Sequence, residues 1–228
     1  SVSPLVYPGG SNISCFGYLD GAIDIDTVTG GTMPYYYSIN GFYNTDSTDH
    51  FFDTLAAAWY YCDIIDANGC TYRDSIILTQ PDLLLVDSFS TLAYIGGLGV
   101  SCNGFNDGSA IAYASGGTWD GVIYTYTYGW SNNDTLAFTD TTLSGDSWYV
   151  VSVTDTNGCH VLDSVYISEP SPLVIDSITS DDVLCVGGDR GTATVFVSGA
   201  TPNYYYLWNN EDLTSPTYWN PNNVVGSN

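Results

Sequence analysis

Two stretches of this 228-residue sequence repeat one reactive pattern. Ile-Ile-Asp-Ala-Asn-Gly-Cys ends at Cys70, and Val-Thr-Asp-Thr-Asn-Gly-Cys ends at Cys159. Each sets a carboxylate, an amide and a thiol within five residues. Side-chain oxygens so placed suit a hard cation, which makes Asp66 with Asn68, or Asp107 with Asp155, candidate Ca²⁺ ligands. The spacing is not that of an EF-hand loop, however, and the whole sequence holds two Glu, Glu169 and Glu211. A second reading accounts for the same letters without a metal. Asn-Gly between two strands marks a tight hairpin, expected as type I′, which needs positive φ at both central residues. Asp66 and Asp155 would cap such turns through their own side chains, and the thiol would be half of a disulfide.

The remaining reactive groups do not assemble a catalyst. The two histidines, His50 and His160, sit in different parts of the chain, and no Ser-His-Asp order, His-rich metal spacing or phosphate-binding glycine loop occurs. Gly-Gly-Leu-Gly at 96–99 reads as a turn. A non-enzymatic protein without an obligatory cofactor is expected.

Charge narrows the partners. There is no lysine; Arg73 and Arg190 face 25 acidic residues, for a formal charge of −23. Nucleic acid needs a basic face, and an anionic membrane surface would repel this chain, so neither is expected as a partner. Hydrophobic residues make up 44%, including 20 Tyr, 6 Trp and 8 Phe, enough to build real cores. Abundant Asp, Asn, Gly, Thr and Val favour turns and strands over helices. No apolar run is long enough to span a membrane, and the opening residues do not form a signal peptide.

The elements that would position these groups come from internal repetition. Residues 14–39, 101–128 and 184–208 are three versions of one block, headed by Cys15, Cys102 and Cys185. A closing block at 58–81 returns at 147–170. A proline and an apolar run, Pro81 to Val86 and Pro170 to Ile175, follow each closing block. The boundaries predict repeat 1 at 1–80, repeat 2 at 81–170 and an incomplete repeat 3 at 171–228. In the second copy, 109–114, 122–130, 135–139, 148–155 and 160–168 alternate apolar and polar residues as strands do. The apolar runs after each proline read as first strands of the next unit. Short strands in units of roughly 80–90 residues predict an all-β fold of tandem immunoglobulin-like β-sandwich repeats arranged as an extended rod. The third copy lacks its closing block. Its sheet is expected to be completed by residues following Asn228 or by a strand from a neighbouring molecule.

Six cysteines allow fifteen pairings, and sequence alone does not choose among them. The simplest pairing is within repeats, because the second copy holds only Cys102 and Cys159; the first would then join Cys15 to Cys70. Each bridge would close a loop of about 55 residues, worth on the order of 4 kcal/mol. Cys62, aligned with Val151 on the inward side of a strand, is expected to be a buried free thiol. Cys185 is left free or externally paired.

The order of motifs resembles the SprB-type repeat of Bacteroidota surface proteins. The second copy carries Gly-Val-Ser-Cys-Asn-Gly-Phe-Asn-Asp-Gly, then Ser-Gly-Gly-Thr with Tyr-Thr-Tyr-Thr-Tyr-Gly-Trp, then Trp-Tyr-Val-Val-Ser-Val-Thr-Asp-Thr-Asn-Gly-Cys and Ser-Glu-Pro. That resemblance implies an extracellular, cell-surface location, export by type IX secretion, and a role as a segment of a long adhesin or filament in surface adhesion or gliding motility. It implies as partners the neighbouring repeats of the same chain or filament, together with surface glycans or the substratum. Asp followed by Ser or Thr and then a small apolar residue or Thr also looks like the O-glycosylation motif of that phylum. It makes Thr27, Ser47, Thr54, Ser75, Thr135, Thr141, Ser164 and Ser177 candidate carriers of O-linked glycans, although sheet alternation produces the same triplets. A carbohydrate-binding array is the rival reading. It rests on the aromatic runs 35–37, 59–61 and 204–206, about half of whose rings alternation would leave outside.

Overall fold

The computed structural model describes residues 1–43, 48–118, 126–182, 191–208, 217–219 and 226–227. Among these residues every regular element is a β-strand. The first repeat contributes seven: β1 (Ser3–Pro4), β2 (Gly21–Asp24), β3 (Tyr36–Ile39), β4 (Phe42–Tyr43), β5 (Phe51–Leu55), β6 (Trp59–Ile65) and β7 (Thr71–Ile77). They form two antiparallel sheets, ordered β1-β2-β5 and β4-β3-β6-β7. Alternation decides which side chains lie between the sheets. Tyr37 and Ile39 of β3 and Cys62 and Ile64 of β6 point inward to meet Ile23, Phe52 and Leu78. The alternate residues of the same sheet, Tyr61 with its cross-strand partner Ser75, and Ile77, face solvent. Full burial of each such apolar side chain contributes about 2 kcal/mol. The first repeat is thus an immunoglobulin-like sandwich.

The second repeat follows the same plan with β8 (Asp82–Thr91), β9 (Gly108–Gly117), β10 (Thr127–Trp130), β11 (Phe138–Leu143), β12 (Ser147–Thr154) and β13 (His160–Ile167). Its sheets are ordered β11-β9-β8 and β10-β12-β13. The third repeat supplies β14 (Val174–Asp181), β15 (Thr192–Ser198), β16 (Tyr206–Trp208), β17 (Thr217–Trp219) and β18 (Gly226–Ser227), ordered β14-β15-β18 and β16-β17. The apolar junction runs are therefore the first strands β8 and β14. In β8, Leu84 is buried while Leu83 and Leu85 are about half exposed.

Spatially the chain divides into two compact units, and the second repeat contributes to both. One holds Ser1–Phe89, Ala112–Ala137 and Val150–Ser164; the other holds Ser90–Ile111, Phe138–Tyr149 and Val165–Asn228. The first unit buries Leu84, Trp130, Val151 and Val153 beside the first-repeat core, and the second buries Val100, Ala110, Leu143 and Ile167. Trp130 sits on the third strand of its repeat, where its indole N–H donates to the Leu136 carbonyl at 2.9 Å.

The cysteine pairing differs from the sequence expectation. One disulfide joins Cys15 to Cys159, with Cα atoms 5.6 Å apart, while Cys70 and Cys102 are exposed free thiols. The pairings Cys15–Cys70 and Cys102–Cys159 are therefore replaced by one bond between successive repeats. Strand parity gives the reason. Cys15 lies between β1 and β2 and Cys70 between β6 and β7, and each of the five intervening strands reverses the chain. The two cysteines thus stand at opposite ends of the first sandwich, about 20 Å apart along a seven-residue strand. A disulfide needs Cα atoms within about 7 Å. Cys62 is fully buried and free, and burial together with the nearby Asp74 and Asp63 charges pushes its thiol up to about 11. Cys185 lies outside the described residues.

Candidate functional site

The Asp-x-Asn-Gly-Cys motif is a carboxylate-centred hairpin. Asp66 Oδ1 accepts the N–H groups of Asn68 at 2.9 Å and Cys70 at 2.8 Å, and Oδ2 accepts that of Thr32 at 3.0 Å. Asp155 does the same with Asn157 at 3.0 Å, Cys159 at 2.9 Å and Thr118 at 2.7 Å. Only the glycines, Gly69 at φ 80° and Gly158 at φ 86°, adopt positive φ in these turns; Asn68 and Asn157 do not. The expected type I′ turn is therefore replaced by a three-residue loop. The Asp66 N–H donates to the Cys70 carbonyl across it, the Cys70 N–H returns to the Asp66 carboxylate, and the Gly69 N–H closes it onto the Asp66 carbonyl.

The same carboxylates tie the hairpin to Thr-Gly-Gly-Thr (29–32) in the first repeat and Ser-Gly-Gly-Thr (115–118) in the second. A Cβ placed on Gly117, itself at φ 70°, would lie 2.7 Å from Asp155 Oδ2, so glycine is required there for Thr118 to reach the carboxylate. A tyrosine five to ten residues beyond the first glycine of this motif also has a fixed task in each copy. Tyr35 donates its hydroxyl to the Gly30 carbonyl, Tyr126 to that of Gly116 and Tyr204 to that of Gly199. In this way the two motifs, far apart in sequence, form one end of a repeat.

Three donors on each carboxylate explain the aspartate without a cation. The Cys70 N–H, followed by that of Thr32, holds the Asp66 carboxyl below the usual carboxylate range. Asp107 is held low by the Ser101 hydroxyl and N–H. The Ca²⁺ candidates Asp66, Asn68, Asp107 and Asp155 all take part in turn hydrogen bonds. No group of three or more His, Cys, Asp or Glu able to hold a metal occurs among the described residues. Because folding depresses these pKa values, their stabilisation is present above the unfolded value near 3.9 and is lost as pH falls through the folded value. Stability measured in denaturant is accordingly expected to be flat near neutrality and to fall below about pH 4. Asp155→Ala should strand three backbone donors at a buried position and lose about 3 kcal/mol, whereas Asp155→Asn, keeping one acceptor, should lose about 1 kcal/mol. Equal losses for the two changes would contradict this role.

The heading loop is built by a second carboxylate. Ser14 donates its N–H to Asp20 Oδ1 at 3.1 Å and its hydroxyl to Oδ2, and the Tyr7 hydroxyl donates to the Asp20 carbonyl. Ser101, Asp107 and Tyr94 repeat the arrangement in the second copy. The closing residue of each repeat caps this loop: Gln80 accepts the Gly17 N–H at 2.9 Å, and Glu169 accepts that of Gly104 at 3.0 Å. Glu169 also accepts the Asn103 amide at 2.8 Å.

The heading loop of the first repeat meets the hairpin of the second within the first compact unit. Cys159 closes the disulfide, and the Asn157 amide donates to the Ser14 carbonyl at 3.0 Å and the Pro8 carbonyl at 3.4 Å. Cys15 and Cys159 are 5% and 7% exposed, so the bond is nearly sealed. Phe16, Tyr18, Leu83, Leu84 and His160 line an open cleft beside it.

This order of motifs identifies the repeat. The SprB repeat family matches residues 11–42 and 177–213. Both stretches are similar to the SprB-type repeat. The matched stretches begin just before Cys15 in the first SprB repeat and within β14 in the third. No curated protein matches the chain. Among solved structures it is similar to the three N-terminal domains of the bacteriophage RB49 Highly Immunogenic Outer Capsid protein (Hoc). The identity there is 14% and the TM-score 0.43, covering 100% of this chain and 79% of that one.

The other candidate residues are scattered over the three repeats. Thr27, Thr54, Ser75, Thr135 and Ser177 are exposed and Ser164 is half-buried. Ser47 and the side chain of Thr141 lie outside the described residues. His50 pairs with Asp24 at 2.7 Å on an exposed surface. Sequence reading passed over Asp20, Thr32, Thr118, Asn157 and the Gln80/Glu169 position. Each lies inside a repeated block, so recurrence itself was the available signal.

Proposed function

We propose that this chain is a non-enzymatic structural segment of a long cell-surface adhesin or filament, serving surface adhesion or gliding motility. The observation that supports this most is the Cys15–Cys159 bond. It joins one SprB repeat to the next, so covalent strength runs along the chain rather than within a domain. SprB repeats are typical of surface-exposed proteins, and structural disulfides persist outside the reducing cytosol. A charge of −23 keeps such filaments soluble and apart. The exposed Asp-Ser and Asp-Thr sites would carry O-linked glycans in this setting. Antibody raised against the chain should label intact cells and block their attachment or movement; labelling only after lysis would contradict the proposal.

A second reading, carbohydrate binding, is favoured by the outer face of the first repeat. Trp59 and Tyr61 are more than half exposed there, and the Arg73 guanidinium lies 5.7 Å from the Tyr61 ring centre. Arg73 also forms a two-pronged pair with Asp63 at 2.6 and 3.0 Å. Exposed rings beside a fixed polar pair suit a sugar face. If this face binds glycan, Trp59→Ala should weaken binding at least tenfold; a chain that binds no glycan in an array removes the reading.

A further inference from the structure

The disulfide follows a rule that leaves two half-sites unfilled. It joins the heading cysteine of one repeat, Cys15, to the hairpin cysteine of the next, Cys159. Within these 228 residues the rule pairs those two alone. Cys70 is the hairpin cysteine of the first repeat, and Cys102 is the heading cysteine of the second. Both half-sites are built as their bonded counterparts are. Asp66 holds the Cys70 N–H at 2.8 Å as Asp155 holds that of Cys159 at 2.9 Å. Asp107 holds the Ser101 N–H at 3.0 Å as Asp20 holds that of Ser14 at 3.1 Å. The Phe105 N–H closes on the Cys102 carbonyl at 3.1 Å, as the Tyr18 N–H closes on that of Cys15.

What differs is occupancy. The bonded pair is buried, whereas Cys70 and Cys102 are exposed. The Asn68 amide, whose counterpart Asn157 donates to the Ser14 carbonyl, is turned back onto the Thr32 hydroxyl at 2.9 Å.

We infer that Cys70 and Cys102 are complementary half-sites for covalent joining to another SprB repeat: Cys70 takes a heading cysteine, and Cys102 takes a hairpin cysteine. The inference stands whether or not the chain is an adhesin, since it rests on the bond and the repetition alone. A second copy of this chain presents both kinds of partner. Joining oxidises two thiols to one disulfide. The two electrons and two protons pass to an oxidised thiol compound such as glutathione disulfide, which leaves as two molecules of glutathione. Cys62, buried and held in its thiol form, takes no part.

The test uses the purified 228-residue chain in a glutathione redox buffer, followed by electrophoresis without reduction and chymotryptic mapping of linked peptides. We expect covalent multimers in which Cys70 of one copy is joined to Cys102 or Cys185 of another. Cys70→Ser should lower their yield more than tenfold while keeping the Cys15–Cys159 peptide. Persistent monomer with free or merely glutathionylated Cys70 and Cys102 would overturn the inference. So would symmetric Cys70–Cys70 links, or a bond between Cys70 and Cys102 within one chain.

Discussion

Stretched from its two ends in an oxidising buffer, the chain should fail to release about 500 Å of contour length that it releases after reduction. The Cys15–Cys159 bond short-circuits a loop of 144 residues, and each residue extends by roughly 3.3–3.6 Å when pulled straight. The loop includes all of the first sandwich beyond the heading cysteine and most of the second, up to the turn before β13. Force entering at Ser1 passes through sulfur at Cys15 and emerges at Cys159, so the cores at Ile23, Phe52 and Ile64 are not loaded. Bridges within each repeat would instead hide two shorter loops and leave the junction Gln80–Pro81 under tension. Single-molecule force spectroscopy with and without reductant separates the two: one large hidden length is expected, and two of about 200 Å each would contradict it.

Cysteine substitutions should be just as asymmetric. Cys159→Ser opens the 144-residue loop and should lower the stability of the first compact unit by up to about 5 kcal/mol, the chain-entropy value for a loop of that size. Cys15→Ser should match it, because the two changes remove one bond. Cys70→Ser touches an exposed, unbonded side chain and should stay within about 0.5 kcal/mol of the parent. Pairing within repeats makes the opposite forecast, a loss on the order of 4 kcal/mol for Cys70→Ser. Denaturant titration of the three variants measures the difference.

Much of this architecture is legible in the sequence because repetition multiplies a weak signal. Period-2 alternation at 148–155 and 160–168 falls within one residue of β12 and β13. The apolar runs after Pro81 and Pro170 lead into strands as their composition suggests, but only the first buries a side chain, Leu84, while β14 is exposed along its length. Two things were not legible. The turn type depends on a third loop residue: Asp66 pairs with Cys70, so Asn68 keeps negative φ and only Gly69 needs the left-handed region.

The disulfide partner depends on strand parity, and parity misleads in the second copy. Five strands separate Cys15 from Cys70, but only four separate Cys102 from Cys159. The chain at 131–137 returns between β10 and β11 without forming a strand. Counting strands there favours a bond that does not form. The aspartates raised a similar ambiguity. A carboxylate in a glycine-rich turn looks the same in sequence whether or not it gathers three N–H groups, and the donors from Thr32 and Thr118, far away in the chain, are not visible there.

The central claim is that covalent linkage runs from one repeat to the next, and disulfide mapping of the unreduced, alkylated chain tests it most directly. The predicted result is the Cys15 peptide linked to the Cys159 peptide, with neither of them joined to Cys70 or Cys102. Recovery of Cys15 linked to Cys70, or of Cys102 linked to Cys159, would contradict it.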